Sequence, residues 1–282
     1  MTKVLQVILT MAIVLLNAQN TANRFFYELT YKPSKDSVQL EKEMMVLDID
    51  QNRSLYQSYD KIQNDSLADA VFQEFSKIGQ MPKLKKLGNK NALFMHRIFK
   101  TYPIHEVVYT GMIALDYFSY RENPNLNWKI SDEKQKIGIY NTQKATTDFG
   151  GRKWIAWFTT EIPFQDGPYK FYGLPGLIIK IEDQGKNYSW ELKGNRKTGD
   201  IQFESYMDKY ISSVPNIVTK EKFLEKYDQY KKNPFAGIKE TFAQHMPAGM
   251  QLPDEFFQSK EMREEERQLK KKYSVRNNSI EL

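Results

Sequence analysis

The chain contains no cysteine, only three histidines, and no apolar run after its first two dozen residues that approaches membrane-spanning length. The first absence excludes disulfides, thiolate metal sites, cysteine nucleophiles and a lipid-modified N-terminal cysteine. The second leaves little material for metal or acid–base sites. His96, His105 and His245 form no His-x-Glu-x-x-His motif and no pair at i,i+4, so each reads as a structural or surface residue. The third leaves no transmembrane helix in the body of the chain, since a spanning helix needs about 20 apolar residues. No Gly-x-Gly-x-x-Gly, no Gly-Lys-Ser/Thr and no Gly-x-Ser-x-Gly occurs, so phosphate loops and nucleophile elbows lack their signatures. No cofactor is expected.

What is present is a chain of 282 residues, 40% apolar and 27% charged. That length and balance describe a folded protein able to bury a large core without disulfide or metal. Residues 1–19 read MTKVLQVILTMAIVLLNAQ: Lys3, an apolar run from Val4 to Leu16, then small and polar residues. This is the plan of a secretory signal peptide, with cleavage expected after Ala18 or Gln19. Residues 20–282 are then expected as one exported domain, in the periplasm, at the outer membrane or secreted. Losing Lys3 leaves 40 basic against 35 acidic residues, +5. The basic residues are scattered, so nucleic acid is not an expected partner.

Period-two alternation marks strands. Arg24–Tyr31 places Phe25, Tyr27, Leu29 and Tyr31 on one face, and Glu43–Asp50 repeats the pattern. Arg53–Tyr59, Ala92–Lys100, His105–Thr110, Leu115–Arg121, Trp128–Ile130 and Ile137–Tyr140 are further expected strands. Arg152–Thr160 is apolar on both faces and should lie centrally. Leu177–Glu182 and Tyr188–Lys193 read as a hairpin. Asp65–Ile78 switches to helical period, with Asp65 or Ser66 as cap and Gly79 and Pro82 as stop. Lys83–Lys90 is a basic surface loop. A helix from Thr219 to Lys232 and a mostly charged one from about Asp254 to Tyr273 complete the chain. Successive strands usually pair, so a meander is expected. The fold class is mainly β within α+β: a large antiparallel sheet with a few helices.

Gly167–Ile178 reads GPYKFYGLPGLI. Pro175 suits position i+1 and Gly176 position i+2 of a type II turn. None of Gly173, Leu174, Pro175, Gly176, Leu177 and Ile178 carries a nucleophile, an acid or a metal ligand, so by composition this is a structural turn. The wording resembles the GLPGLI family of exported Bacteroidetes proteins. Trp128-Lys129-Ile130, Lys144-Ala145-Thr146, Gly151-Arg152, Trp154, Ala156-Trp157-Phe158-Thr159, Ile162-Pro163, Gly167-Pro168 and the closing Ile280-Glu281-Leu282 stand in similar order. Many members carry a cysteine near the position held here by Thr142. The resemblance implies envelope export and a curved LolA-like half-barrel; it implies no reaction.

Candidate functional residues remain few. Arg152 opens the central strand beside Trp154 and Trp157. It is expected to pair with Glu161 or Asp166, or to stack on Trp154. These three residues are the candidate binding set. His105-Glu106 needs a nucleophile from elsewhere, and Ser119 and Ser189 have no elbow around them. Glu161, Asp166, Glu182 and Asp183 surround the motif as turn or loop carboxylates. Seventeen Tyr, seventeen Phe and four Trp supply core, pocket or interface. The expected function is a non-catalytic binding or accessory protein for an apolar ligand, a lipid or an outer-membrane partner. The alternative is a secreted hydrolase with a site assembled from distant loops.

Overall fold

The computed structural model describes residues 21–78, 92–114, 116–199, 201, 215–237 and 258–282. The expected signal peptide, the expected helix stop at Gly79 and Pro82, the expected surface loop Lys83–Lys90, Leu115, His245 and the stretch from Asp254 to Phe257 lie outside the described residues.

Among the described residues twelve strands form one open sheet that does not close into a barrel. The first run is β1 (Ala22–Tyr31), β2 (Glu41–Ile49), β3 (Arg53–Ser58), β4 (Arg97–Thr101), β5 (Val107–Ile113) and β6 (Asp116–Glu122). The second is β7 (Lys129–Ile137), β8 (Tyr140–Phe149), β9 (Arg152–Thr159), β10 (Leu177–Asp183) and β11 (Tyr188–Thr198). Each run is the expected antiparallel meander. The two are joined where β1 pairs with β11, Leu29 opposite Trp190. The short β12 (Asn216–Ile217) pairs in parallel beside β6.

Between β6 and β8 lie nine strand-to-strand steps, about 43 Å in a flat sheet. Yet Lys170 touches Tyr120 of β6 at 2.9 Å, and the neighbouring Phe171 meets Phe149 of β8 at 5.5 Å between centroids. The sheet is therefore strongly curled around these residues. Its inner face carries Tyr27, Leu29, Met45, Leu47, Tyr56, Trp154, Phe158 and Trp190, all fully buried.

Helix α1 (Tyr59–Ile78) lies on the outer face, with Tyr59 edge-on to Phe26 at 5.4 Å. It begins six residues before the Asp65 start expected from sequence. Ser58 explains this: its Oγ accepts the Lys61 amide at 3.3 Å, capping the helix directly at the strand end. Asp65 instead pairs with Lys61 at 2.6 Å. Helix α2 (Lys220–Lys232) starts where expected, with Thr219 Oγ1 accepting the Lys222 amide. Helix α3 (Lys260–Val275) buries none of its side chains.

Two strand assignments are corrected. Ala92–Lys100 is strand only from Arg97, because the amides of Leu93 and Phe94 are taken by the Glu43 carboxylate at 3.0 and 3.3 Å. Ile137–Tyr140 is a hairpin turn rather than a strand, with Gly138 at φ +57° and Ile139 76% exposed. The strand there is β7 itself. Its charged, exposed residues on an edge hide the usual alternation.

Candidate functional site

Between β9 and β10 the chain leaves the sheet and folds into its inner face. The Asp166–Tyr172 bridge closes this loop at its neck. Gly173 N donates to Gln165 O at 3.0 Å and Ile178 N to Asp166 O at 3.0 Å. Tyr169, Lys170, Phe171 and Leu174 are buried. Phe171 packs against Trp154 and Trp190, and Tyr169 stacks on Trp190. The aromatic inner face is thus filled by the chain's own loop.

The expected type II turn is not what Gly176 makes. Its φ is +154°, away from the value near +80° that such a turn needs, and its amide reaches back to Leu174 O at 2.7 Å. The requirement for glycine is close approach. A Cβ at position 176 would stand 2.0 Å from the carbonyl oxygen of Thr159. Gly173 supplies the left-handed position, φ +88°.

Two buried lysines hold the loop. Lys100, from β4, pairs with Asp166 and donates to the carbonyls of Gly167 at 2.7 Å and Tyr169 at 3.1 Å. Burial pushes its pKa down, and Asp166 offsets this only in part. Asp166 also accepts from the Tyr102 hydroxyl and the Gly167 amide. Burial, then Asp166, push the Tyr102 phenol well up, so it stays protonated.

Lys170 sits 0% exposed, 5.1–5.3 Å from the ring centres of Tyr109, Tyr120 and Tyr169. Glu122 and Glu281 both pair with it. Glu281 belongs to the closing segment of the chain, which this site grips along its length. Tyr188 donates its hydroxyl to Asn278 O at 2.5 Å. Glu281 takes the Tyr169 hydroxyl at 2.6 Å and the Lys220 ammonium at 2.6 Å. Leu282 N donates to Gly150 O at 2.8 Å. Burial pushes the Glu281 carboxyl up, but Lys170 and Lys220 outweigh it and hold the group at about 2.

Arg152 is the third cation of this clamp. Its fork reaches Asp183 at 3.2 Å, Asn278 Oδ1 at 2.7 Å, Ser279 O at 2.6 Å and Ile280 O at 2.9 Å. The ring under it is Tyr188, at 5.3 Å. These replace the expected Glu161, Asp166 and Trp154 contacts, because Glu161 lies at an exposed turn bonded to Asn141 and Asp166 is engaged by Lys100. Trp154 lies on the inner face, donating its indole N–H to Phe149 O at 2.9 Å. Trp157 lies on the opposite face of β9 under the Lys144 ammonium. The structure therefore does not gather Arg152, Trp154 and Trp157 at one point.

His105 is half-buried and stacks on Tyr172, centroids 4.8 Å apart. Glu106 turns to Arg121. Ser119 bonds Thr110 at 2.7 Å, and Ser189 lies on β11 away from the site. His96 is packed against Tyr56, Phe94, Tyr109 and Tyr169. Burial, with Lys170 adding to it, lowers His96 to about 3, so it is neutral. Glu43, near the rim, is raised by burial to about 7. Glu182 pairs with Lys180 at 3.1 Å. Among the described residues no group of three or more His, Asp or Glu is arranged to hold a metal ion.

Lys100, Lys170, Glu122 and Glu281 were not singled out from sequence. A lysine in an apolar strand, IFKTY, and one amid aromatics, PYKFY, were the available signals. Their ion-pair partners, Asp166 for Lys100 and Glu122 and Glu281 for Lys170, stand far off along the chain, which no local pattern reveals.

A strongly curled open sheet plugged by its own loop is the class of fold defined here. The model of the Porph_ging family, described as a protein of unknown function, matches residues 150–180. That stretch contains Gly150, Gly151, Arg152, the plug with its two glycine contacts, and Lys170. No curated protein matches the sequence. Among solved structures, PNGF-II in its C2 crystal form is similar with a TM-score of 0.51 and 13% identity, over 75% of this chain and 33% of that one. Its P21 form gives 0.51 and 15%, over 76% and 34%. The likeness concerns the fold alone, and this chain spans about a third of the length of those it resembles.

Proposed function

We propose that this is an exported cell-envelope protein of the GLPGLI type, a non-catalytic binding or accessory protein that engages an outer-membrane protein partner. The observation that carries this reading is the filled inner face. Residues 164–176 occupy the space where an apolar ligand or lipid would sit, which favours a partner bound at the outside of the sheet. The buried ionisable groups of the site also serve one another. Lys100 with Asp166, Arg152 with Asp183 and Lys170 with Glu281 are mutually paired, which favours scaffolding over proton transfer.

The edge strand β7 is the surface best placed to meet a partner. Eight of its nine residues are exposed, and an edge strand offers unpaired backbone groups. In this reading Arg152 and Trp154 contribute by holding the inner framework, and Trp157 by supporting the outer face beside β8.

The test is a photo-crosslinking residue placed at Ile130 or Lys134 in whole cells. The reading expects a discrete protein adduct from either position and none from a control on the inner face. Absence of any protein adduct, together with a lipid co-purifying in stoichiometric amount, would return the assignment to an apolar-ligand carrier.

A further inference from the structure

We infer that the clamp around Asn278–Leu282 is a docking site for an extended segment with an acidic residue, and that its occupant in trans is the same segment of a second copy of this chain.

The clamp reads a linear pattern. Arg152 takes two successive carbonyls, Ser279 O and Ile280 O, and the Asn278 side chain. Tyr188 takes Asn278 O. Lys170, Lys220 and Tyr169 take the Glu281 carboxylate. Gly150 and Gly151 let the segment lie directly on the β8–β9 turn: a Cβ on Gly150 would stand 2.8 Å from the Glu281 side chain, and one on Gly151 3.0 Å from that of Leu282.

Charge points to the same occupant. The clamp holds three cations, Arg152, Lys170 and Lys220. Its own framework supplies two carboxylates, Asp183 and Glu122. One more negative charge is needed, within reach of both lysines. Glu281 provides it, so any occupant must carry a carboxylate there. Without it Lys170 and Lys220 would share the single carboxylate of Glu122, and an undercompensated buried charge is costly.

The arm that delivers the segment is weakly held. Helix α3 buries no side chain. It meets α2 where Tyr273 packs edge-on to Tyr230 at 5.5 Å. After it, Arg276 bonds Tyr31 and Glu41. At about 1.5 Å per residue the helix is a rod of roughly 24 Å. Passing the rod and its segment to a second copy preserves every clamp contact, the condition under which exchange between identical chains is cheap.

Two full-length variants test this. Glu281→Lys spoils the segment and Lys220→Glu spoils the clamp; Lys220 is partly exposed at the start of α2, so the sheet tolerates its change. Each alone should sediment as a monomer. Mixed, the segment of the Lys220→Glu chain finds an intact clamp on the other copy, and a heterodimer should appear. A mixture that remains monomeric to several hundred micromolar overturns the inference. As a measurement independent of assembly, a labelled RNNSIEL peptide is titrated against full-length Glu281→Lys protein. The expected result is saturable binding, weakened at least tenfold when the peptide glutamate is lysine. Absent binding, or equal binding of both peptides, contradicts the inference.

Discussion

The Lys170 ammonium stands 2.5 Å from the Glu281 carboxylate across 111 residues of sequence. This contact ties the plug to the closing segment. Lys170→Met should destabilise the protein by about 3 kcal/mol, because Glu281 and Glu122 would lose the buried cation between them and keep only the partly exposed Lys220. Glu281→Gln should cost less, since Lys170 keeps Glu122. Urea unfolding of the two variants measures the order; equal losses would contradict it.

Glu43 and Glu281 give opposite pH dependences. The folded-state pKa of Glu43 is raised to about 7 by burial, above the unfolded value of about 4.3. Its contribution is therefore full below pH about 4.3 and fades as pH rises to about 7, by roughly 4 kcal/mol. Glu281 is depressed to about 2, so its contribution is present above pH about 4.3 and lost as pH falls towards 2. Glu43→Gln should flatten stability between pH 4 and 7 and leave the acid limb intact. Thermal melts across pH 2–8 check both limbs.

Two glycines of the motif should respond differently to alanine. Gly173 has φ +88° but open space around it, so Gly173→Ala should cost about 1–2 kcal/mol of backbone strain. Gly176→Ala brings a methyl onto Thr159 O and forces β9 and β10 apart. Its cost should exceed about 3 kcal/mol. Similar losses by chemical denaturation would show that close approach is not the reason for Gly176.

Arg152→Lys keeps a positive charge beside Asp183 but loses the planar fork that takes Asn278, Ser279 and Ile280 together. The loss should be about 2 kcal/mol. Hydrogen exchange at the Leu282 amide should accelerate while amides of β9 and β10 stay protected. Unchanged exchange at Leu282 would mean the segment is held without Arg152.

Much of the sheet was readable from sequence because half-buried strands must alternate, as Phe25, Tyr27, Leu29 and Tyr31 do. The errors fall where something other than alternation decides. Glu43 replaces a neighbouring strand for Leu93 and Phe94, Ser58 starts α1 early, and β7 has no buried face to pattern. The motif Gly173–Ile178 was visible as a rigid turn, but its real constraint, the Thr159 carbonyl, comes from a packed neighbour. Arg152 stood out as a charged residue in an apolar strand. Its partners did not, because Asn278–Ile280 become its neighbours only when the closing segment returns to β9.

The central claim is that the inner face is closed by residues 164–176 and therefore carries no lipid. Native mass spectrometry of the protein, purified from its native cells without detergent exchange, tests it most directly. The account predicts the mass of the polypeptide, alone or with a protein partner. A retained lipid adduct that is lost only on unfolding would contradict it.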